Sequence, residues 1–165
     1  MSLVERKRSH EQSPPSFPFI QEQIRSTCED IIHFCLAETA STFYQVEQSL
    51  QIKIAALACL FLQLFLLAFQ EQFDYAIWLT EGKYYKGQLI PRTLKTIYGE
   101  VRYWRHYLVH KRGGGFYPLD AGIGLTGDGF SPLLMSLVTR LATRVSFSAS
   151  VLLCGYPLKA GHPVT

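Results

Sequence analysis

Residues 93–109, TLKTIYGEVRYWRHYLV, decide the fold of the central part of this 165-residue chain. Two stretches rich in β-branched and aromatic residues, 93–97 and 101–109, flank Tyr98-Gly99-Glu100. Glycine reaches the positive φ that a tight turn requires, so the pattern predicts a β-hairpin with Gly99 in its turn. Alternation divides the second strand between one face with Val101, Tyr103, Arg105, Tyr107 and Val109 and another with Arg102, Trp104, His106 and Leu108. Neither face is cleanly apolar, which predicts contact with solvent or with a charged ligand.

The charges of the chain are segregated along the sequence. The net charge is +3, yet residues 20–82 carry eight acidic and two basic side chains, whereas residues 83–112 carry eight basic and one acidic. Such an excess makes a local positive field that attracts polyanions, and the tyrosines and tryptophan between the basic residues can stack on bases or brace the strands. The segment predicts nucleic-acid binding. The competing interpretation is a solvated hairpin whose charges balance those of residues 20–82.

Residues 20–82 predict long helices. Ser26-Thr27-Cys28-Glu29 fits the capping box and apolar residues recur at helical spacing around it, so the first helix should begin near Ser26. Residues 54–69 are almost wholly apolar and are broken only by Gln63. A sixteen-residue helix is roughly 24 Å long, short of the roughly 30 Å of a membrane's hydrocarbon layer. The length therefore argues against a membrane anchor. The narrow polar stripe of Gln63, Gln70, Asp74 and Glu81 favours a buried core helix, or a dimer helix over 54–79.

A third helix is predicted after the glycine-rich link that follows the hairpin. Ser131 is expected to be its N-cap and Pro132 its first residue. Its buried stripe is predicted to consist of Leu134, Leu137, Val138 and Leu141. A further helix is expected to begin around Ser146 or Ser148 and to stop at Gly155.

Sequence signatures of catalysis and of metal binding are missing. The chain has no G-x-S-x-G, H-E-x-x-H, Walker A or G-x-G-x-x-G motif and no C-x-x-C pair. On a helix, His33 and Cys35 point about 200° apart, so Cys28 and Cys35 are interpreted as core thiols and His33 as a histidine on the polar side, rather than as metal ligands. Asp120 and Asp128 lie among glycines and are interpreted as turn formers, with a carboxylate pair for two-metal chemistry left open. No catalytic residue, metal site or cofactor is predicted.

Three blocks of sequence carry a resemblance. They are 96–102 (TIYGEVR) with Arg105 and Tyr107, 116–120 (FYPLD), and Ser131-Pro132 leading to Leu141-Ala142 and Ser146-Phe147. In this order they resemble the N-terminal region of bacterial insertion-sequence transposases of the DDE type. In that family a helical part precedes a T-x-x-G-x-V hairpin, an x-x-P-L-D link and a helix-turn-helix of the form S-P-x-L … R-L-A … S-F. The resemblance covers about residues 90–154, and the helical part only loosely.

The resemblance implies that the partner is DNA, in the family the ends of the mobile element, and that the location is cytoplasmic and nucleoid-associated. Phosphate contacts are expected from Lys95, Arg102, Arg105, Arg140 and Arg144. The chain leaves the family pattern after Cys154, before the third helix that would read DNA and before the RNase H-like catalytic domain. A truncated or frameshifted copy without strand-transfer activity is therefore expected.

The sequence as a whole predicts an α+β protein with long N-terminal helices, a central basic β-hairpin and an incomplete C-terminal helix-turn-helix. The expected segments are a disordered tail (1–19), a helical region (20–82), the basic hairpin and link (83–120), the partial helix-turn-helix (121–155) and an aperiodic tail (156–165). The predicted function is that of a DNA-binding transposase fragment. Two alternatives stay open: a membrane-associated protein anchored by residues 54–69, and an interaction module that dimerises through that helix.

Overall fold

A computed structural model describes residues 13–37, 41–125 and 127–144 of the chain. Its helices are α1 (Phe17–Ala37), α2 (Phe43–Gln72), α3 (Ala76–Leu79), α4 (Pro118–Gly122) and α5 (Pro132–Arg144). Its strands, β1 (Tyr84–Thr96), β2 (Gly99–His110) and β3 (Gly115–Phe116), form one antiparallel sheet in that order. The predicted α+β class is confirmed.

Helix α1 begins at Phe17, well before the predicted start at Ser26. The hydroxyl of Ser16 accepts a hydrogen bond from the Phe19 amide (3.4 Å), and Ile20 is fully buried one residue later. Residues 17–19, expected to belong to the N-terminal tail, therefore form the first turn of the helix. The helix start predicted from the Ser26 capping box is wrong, because the burial of Ile20 against the rest of the fold stabilises helical turns that precede Ser26.

Helix α2 starts with a capping box at Thr42. The Gln45 amide donates to the Thr42 hydroxyl (3.4 Å), and the Thr42 amide donates to the side-chain oxygen of Gln45 (2.9 Å). These two bonds satisfy amides that a helix start would otherwise leave unpaired. The helix then continues for 30 residues, so its length exceeds the sixteen apolar residues on which the length argument rests.

By length and composition, α2 qualifies as a membrane span, and it is the one helix in the described parts of the chain that does. An 18-residue window of it has a mean hydropathy of 2.4, and 11% of that window is buried. Core helices of soluble proteins pass the same test. The predicted helix over 54–79 is interrupted, because α2 ends at Gln72 and a separate helix, α3, begins at Ala76, whose amide donates to the Asp74 carboxylate (2.8 Å).

The backbone hydrogen bonds of Lys95 show on which side of β1 its amide and carbonyl groups point. Its amide donates to the Gly129 carbonyl and its carbonyl accepts from the Ser131 amide, both at 2.8 Å, so this residue bonds away from β2. Pro91 has the same parity, and its missing amide therefore costs the β1–β2 ladder nothing. On the other edge of the ladder, the carbonyl of Arg102 accepts from the Gln63 side chain of α2 (3.1 Å). Gln63, the polar interruption of the apolar run, thus ties α2 to the sheet.

The core lies between α2, one face of the β1–β2 pair and α4. Its buried members are Leu66, Leu94, Val101, Tyr103 and Leu119. Gly122 touches this core from α4, where an added Cβ would lie 2.9 Å from the ring of Phe73. Close packing of the link after the sheet is therefore part of the fold.

Helix α5 begins at Pro132, as predicted, and the Ser131 hydroxyl accepts from the Leu134 amide (3.2 Å). Leu134 is buried, but Leu137 is 45% exposed, so the predicted buried stripe is wrong at that residue. The helix expected from Ser146 and the aperiodic tail lie outside the described residues.

Gly115 allows β3 to approach β2. A Cβ at this position would collide with the Leu108 carbonyl and lie 2.7 Å from the Tyr107 ring. We expect Gly115→Ala to lower the free energy of unfolding by about 1–3 kcal/mol through overpacking, measured by urea denaturation. Gly127→Ala is the matched control, since a Cβ there meets nothing within 4 Å. Equal stability of the two variants would contradict this explanation.

Candidate nucleic-acid interface

The register of β1 and β2 sorts the basic residues of the hairpin onto two faces. Arg92 lies opposite Tyr103, and Thr93 lies opposite Arg102. Because side chains alternate along each strand, Arg92 and Arg105 share one face, called here the Asp120 face after the residue that they contact. Lys95 and Arg102 share the opposite face, called here the Arg102 face.

On the Asp120 face, one buried carboxylate binds two guanidinium groups. Asp120 Oδ2 lies 2.6 Å from Arg92 Nη1 and forms a second ion pair with Arg105, and Tyr103 donates its hydroxyl hydrogen to Oδ1 (2.6 Å). The side chains of Asp120 and Arg92 are 8% and 9% exposed. The interpretation of Asp120 as a turn former is therefore wrong, because its carboxylate is consumed by this network.

The Asp120 network is desolvated. Burial lowers the pKa of Arg105 and raises the pKa of Tyr103, although both neighbouring arginines oppose the rise at the tyrosine. The Arg105 guanidinium also lies 3.5 Å from the centroid of the Tyr117 ring, which stabilises the cation through the ring's negative face. Two cations and one anion leave an excess positive charge, which the two aromatic side chains help to accommodate.

Arg105 is therefore not placed as the sequence predicts for a phosphate contact. Its side chain is 13% exposed and its charge is paired with Asp120. A phosphate could reach it only by displacing that carboxylate, which would leave Asp120 buried without its partner. The ion pair joins residues on β2 and α4, so no local sequence pattern predicts it.

On the Arg102 face, cations lie over aromatic rings. Arg102 is exposed and its guanidinium lies 5.5 Å from the centroid of the Trp104 ring. Lys95 is half-buried, lies opposite Glu100 in the register, and has its ammonium 5.7 Å from the Phe130 ring. Both predicted contact residues thus occupy one face within diagonal reach of each other across the two strands.

Arg140 and Arg144 are exposed on α5. The start of this helix is attached to β1 beside Lys95 through the backbone bonds of Gly129 and Ser131. The two arginines lie roughly 12 and 18 Å along the helix axis from Pro132. The structure therefore places Lys95 and Arg102 on one face of the hairpin and Arg140 and Arg144 on a helix that begins beside Lys95, rather than gathering all five residues in one cluster.

Most of the aromatic rings near the cations brace the strands. Tyr103 is 2% exposed and Trp104 is 7% exposed, so neither offers a face to a base. Tyr85 and Tyr98 are 53% and 44% exposed. These two side chains are exposed enough to stack on bases. Any other contribution of the hairpin to nucleic-acid binding comes from its positive charges.

The ion pairs do not simply match the basic segment with the acidic helices. Lys83 pairs with Glu81 at 2.7 Å on the surface, whereas Arg92 and Arg105 pair with Asp120, which lies outside residues 20–82. Within α1, Glu22 pairs with Arg25 (3.0 Å). The alternative interpretation of charge balance thus holds for Lys83, while the buried cations are neutralised by a residue that it did not include.

No group of three or more His, Cys, Asp or Glu side chains that could hold a metal ion occurs among the described residues. Cys28 and Cys35 are free cysteines, and because Cys28 is half-buried and Cys35 is exposed, the interpretation as core thiols is wrong for Cys35. Asp128 accepts from the Phe130 amide (3.4 Å), in keeping with its interpretation as a turn former, while Asp120 is held by arginines. These contacts give the two aspartates separate structural roles.

Asp120→Asn removes the counter-charge of two buried cations. We expect the free energy of unfolding to fall by about 3–5 kcal/mol, because an uncompensated charge stays in the interior. Asp128→Asn is the matched control, since asparagine can still accept from the Phe130 amide, and its effect should stay within about 1 kcal/mol. Urea denaturation measures both, and similar losses in the two variants would contradict the role of the network.

His106 predicts a pH dependence of stability. Burial lowers its pKa below 6.5, Lys86 adds to this, and the Gly87 carbonyl, 3.0 Å from Nδ1, opposes it. The unfolded chain then binds a proton more readily than the folded chain, so stability is complete above about pH 6.5 and declines as the pH falls. Urea denaturation between about pH 7.5 and pH 5.5 should show a shallower decline for His106→Gln. The exposed His33→Gln should retain the wild-type decline, and an unchanged slope in His106→Gln would refute the assignment.

Comparisons with known proteins assign no family to the chain. No protein-family model matches it, and neither curated proteins nor solved structures give a significant match. The resemblance to transposases therefore stays a prediction that rests on the three sequence blocks.

Proposed function

We propose that this chain is a DNA-binding part of an insertion-sequence transposase that holds duplex DNA mainly by its phosphates. The observation that supports it most is the joint placement of Lys95 and Arg102 on one face of the hairpin, beside the start of α5. Arg140 and Arg144 are exposed on α5 and are proposed as further phosphate contacts. Arg105 is left out of the proposed contacts because Asp120 holds it.

The proposed binding reads little base sequence. Phosphate contacts position a protein on DNA but carry no direct sequence information, and of the rings nearest the contact residues, Trp104 is buried and Phe130 is half-buried. The cations over Phe130 and Trp104 are held at a defined place, which lowers the entropy lost when a phosphate binds. In the finer version of the proposal, α5 is the first helix of a helix-turn-helix whose second helix would begin near Ser146.

A second candidate function, membrane association, is favoured by one observation. The apolar window of α2 has a mean hydropathy of 2.4 and only 11% of it is buried. Carbonate washing of membranes separates the two functions, since an integral protein stays in the pellet. Retention in the pellet would support this candidate over DNA binding.

The first test measures duplex-DNA affinity at several salt concentrations. Wild-type binding should weaken steeply with salt, and Arg102→Gln should reduce the log-log slope by about 0.9, the value for one lost phosphate contact. Arg25→Gln is the matched control, because Arg25 is equally charged and exposed but lies on α1 beside Glu22. Undetectable or salt-independent binding by the wild-type chain, or an equal loss in both variants, would overturn the proposal.

A further inference from the structure

The side chains of α2 fall into three lengthwise stripes, each covering about a third of its circumference. The first stripe faces the sheet and consists of Cys59, Leu62, Gln63, Leu66 and Phe69. Leu66 belongs to the buried core, with Cys59, Leu62 and Phe69 packed against it, and Gln63 bonds to the Arg102 carbonyl. The sheet therefore covers this stripe.

The second stripe faces α1 and consists of Lys53, Leu57, Leu60, Leu64 and Leu67. At one end, the Lys53 ammonium lies 5.3 Å from the centroid of the Phe34 ring of α1. At the other end, Leu67 is buried and lines a small cavity together with Pro15, which directly precedes α1. Helix α1 therefore covers this stripe.

The third stripe consists of Ile54, Ala58, Phe61, Phe65 and Ala68. Ile54, Phe61 and Phe65 are 49%, 51% and 55% exposed. The successive spacings are four, three, four and three residues, which is the spacing of side chains that pack between two helices. An uninterrupted apolar stripe of this length, with half its large side chains' surface exposed, indicates an interface.

We infer that the third stripe pairs with the same stripe of a second copy of this chain, with the two α2 helices antiparallel about a two-fold axis near Phe61. This arrangement places Ile54 of each copy opposite Ala68 of the other, and Ala58 opposite Phe65. Each large side chain then meets a small one, so the surface is complementary to itself. This pairing does not depend on DNA binding and goes beyond the proposed function.

A second copy suits the third stripe better than lipid does. Gln63, in the middle of α2, is bonded to the backbone of Arg102, whose side chain is exposed. A membrane around α2 would place that arginine near the bilayer centre, at a cost of about 2.5–3.5 kcal/mol or more. A second helix on the third stripe leaves the first stripe with the sheet and leaves Arg102 in water.

Disulfide mapping tests the orientation in the full chain with its four cysteines replaced by alanine. Ile54→Cys mixed with Ala68→Cys should give a cross-linked dimer on oxidation. Ile54→Cys alone should not, because antiparallel helices hold the two positions roughly 21 Å apart, beyond the reach of a disulfide. Cross-linking of Ile54→Cys with itself, and not with Ala68→Cys, would show parallel pairing and overturn the inference.

Sedimentation without detergent tests the surface itself. The wild-type chain should dimerise, and Phe61→Glu should weaken the dimer about tenfold or more, as expected for a central buried aromatic side chain. Ile52→Glu is the matched control, since Ile52 is 67% exposed on the same helix but outside the third stripe, and its dimer should be as strong as wild type. Circular dichroism verifies that both variants fold. A monomeric wild type, equal weakening in both variants, or insertion into phosphatidylcholine vesicles in place of dimerisation would each overturn the inference.

Discussion

The arrangement of the sheet and of the link that follows it depends on the contacts of the Asp120 carboxylate. It joins Arg92 of β1, Arg105 and Tyr103 of β2, and its own helix α4 in one buried network. Two guanidinium groups could not be enclosed without it, because an unpaired charge in the interior is strongly destabilising. Leu119, the neighbouring residue, is brought into the core by the same contact and is fully buried.

That contact also determines what the basic segment can offer to a ligand. The eight basic residues of 83–112 suggest one continuous positive surface, but strand alternation places Arg92 and Arg105 on one face, where Asp120 holds them. Lys95 and Arg102 stay on the other face, above the rings of Phe130 and Trp104. The rings near the cations serve the fold more than they serve a base, so the proposed interaction with DNA rests on phosphate attraction.

Helix α2 contacts both α1 and the sheet, and its apolar composition is compatible with more than one function. Its apolar residues satisfy the composition of a membrane span, a core helix and a dimer helix equally well. Gln63 distinguishes among these uses, because its bond to the Arg102 carbonyl orients the helix on the sheet. Once two stripes are assigned to the sheet and to α1, the exposed residues Ile54, Phe61 and Phe65 remain together on the third stripe.

The sequence alone was sufficient for features that neighbouring residues control. These include the α+β class, the start of α5 at Ser131-Pro132, and the alternation that separates Arg102 from Arg105, because capping and strand periodicity act over a few residues. Tertiary structure alone decided the start of α1 at Phe17, the burial of Arg105 and the role of Asp120. Asp120 meets partners 17 and 28 residues away, Tyr103 and Arg92, and burial of Ile20 needs the rest of the fold. Such contacts form between segments that are distant in the sequence, so a local sequence pattern cannot indicate which segments will meet.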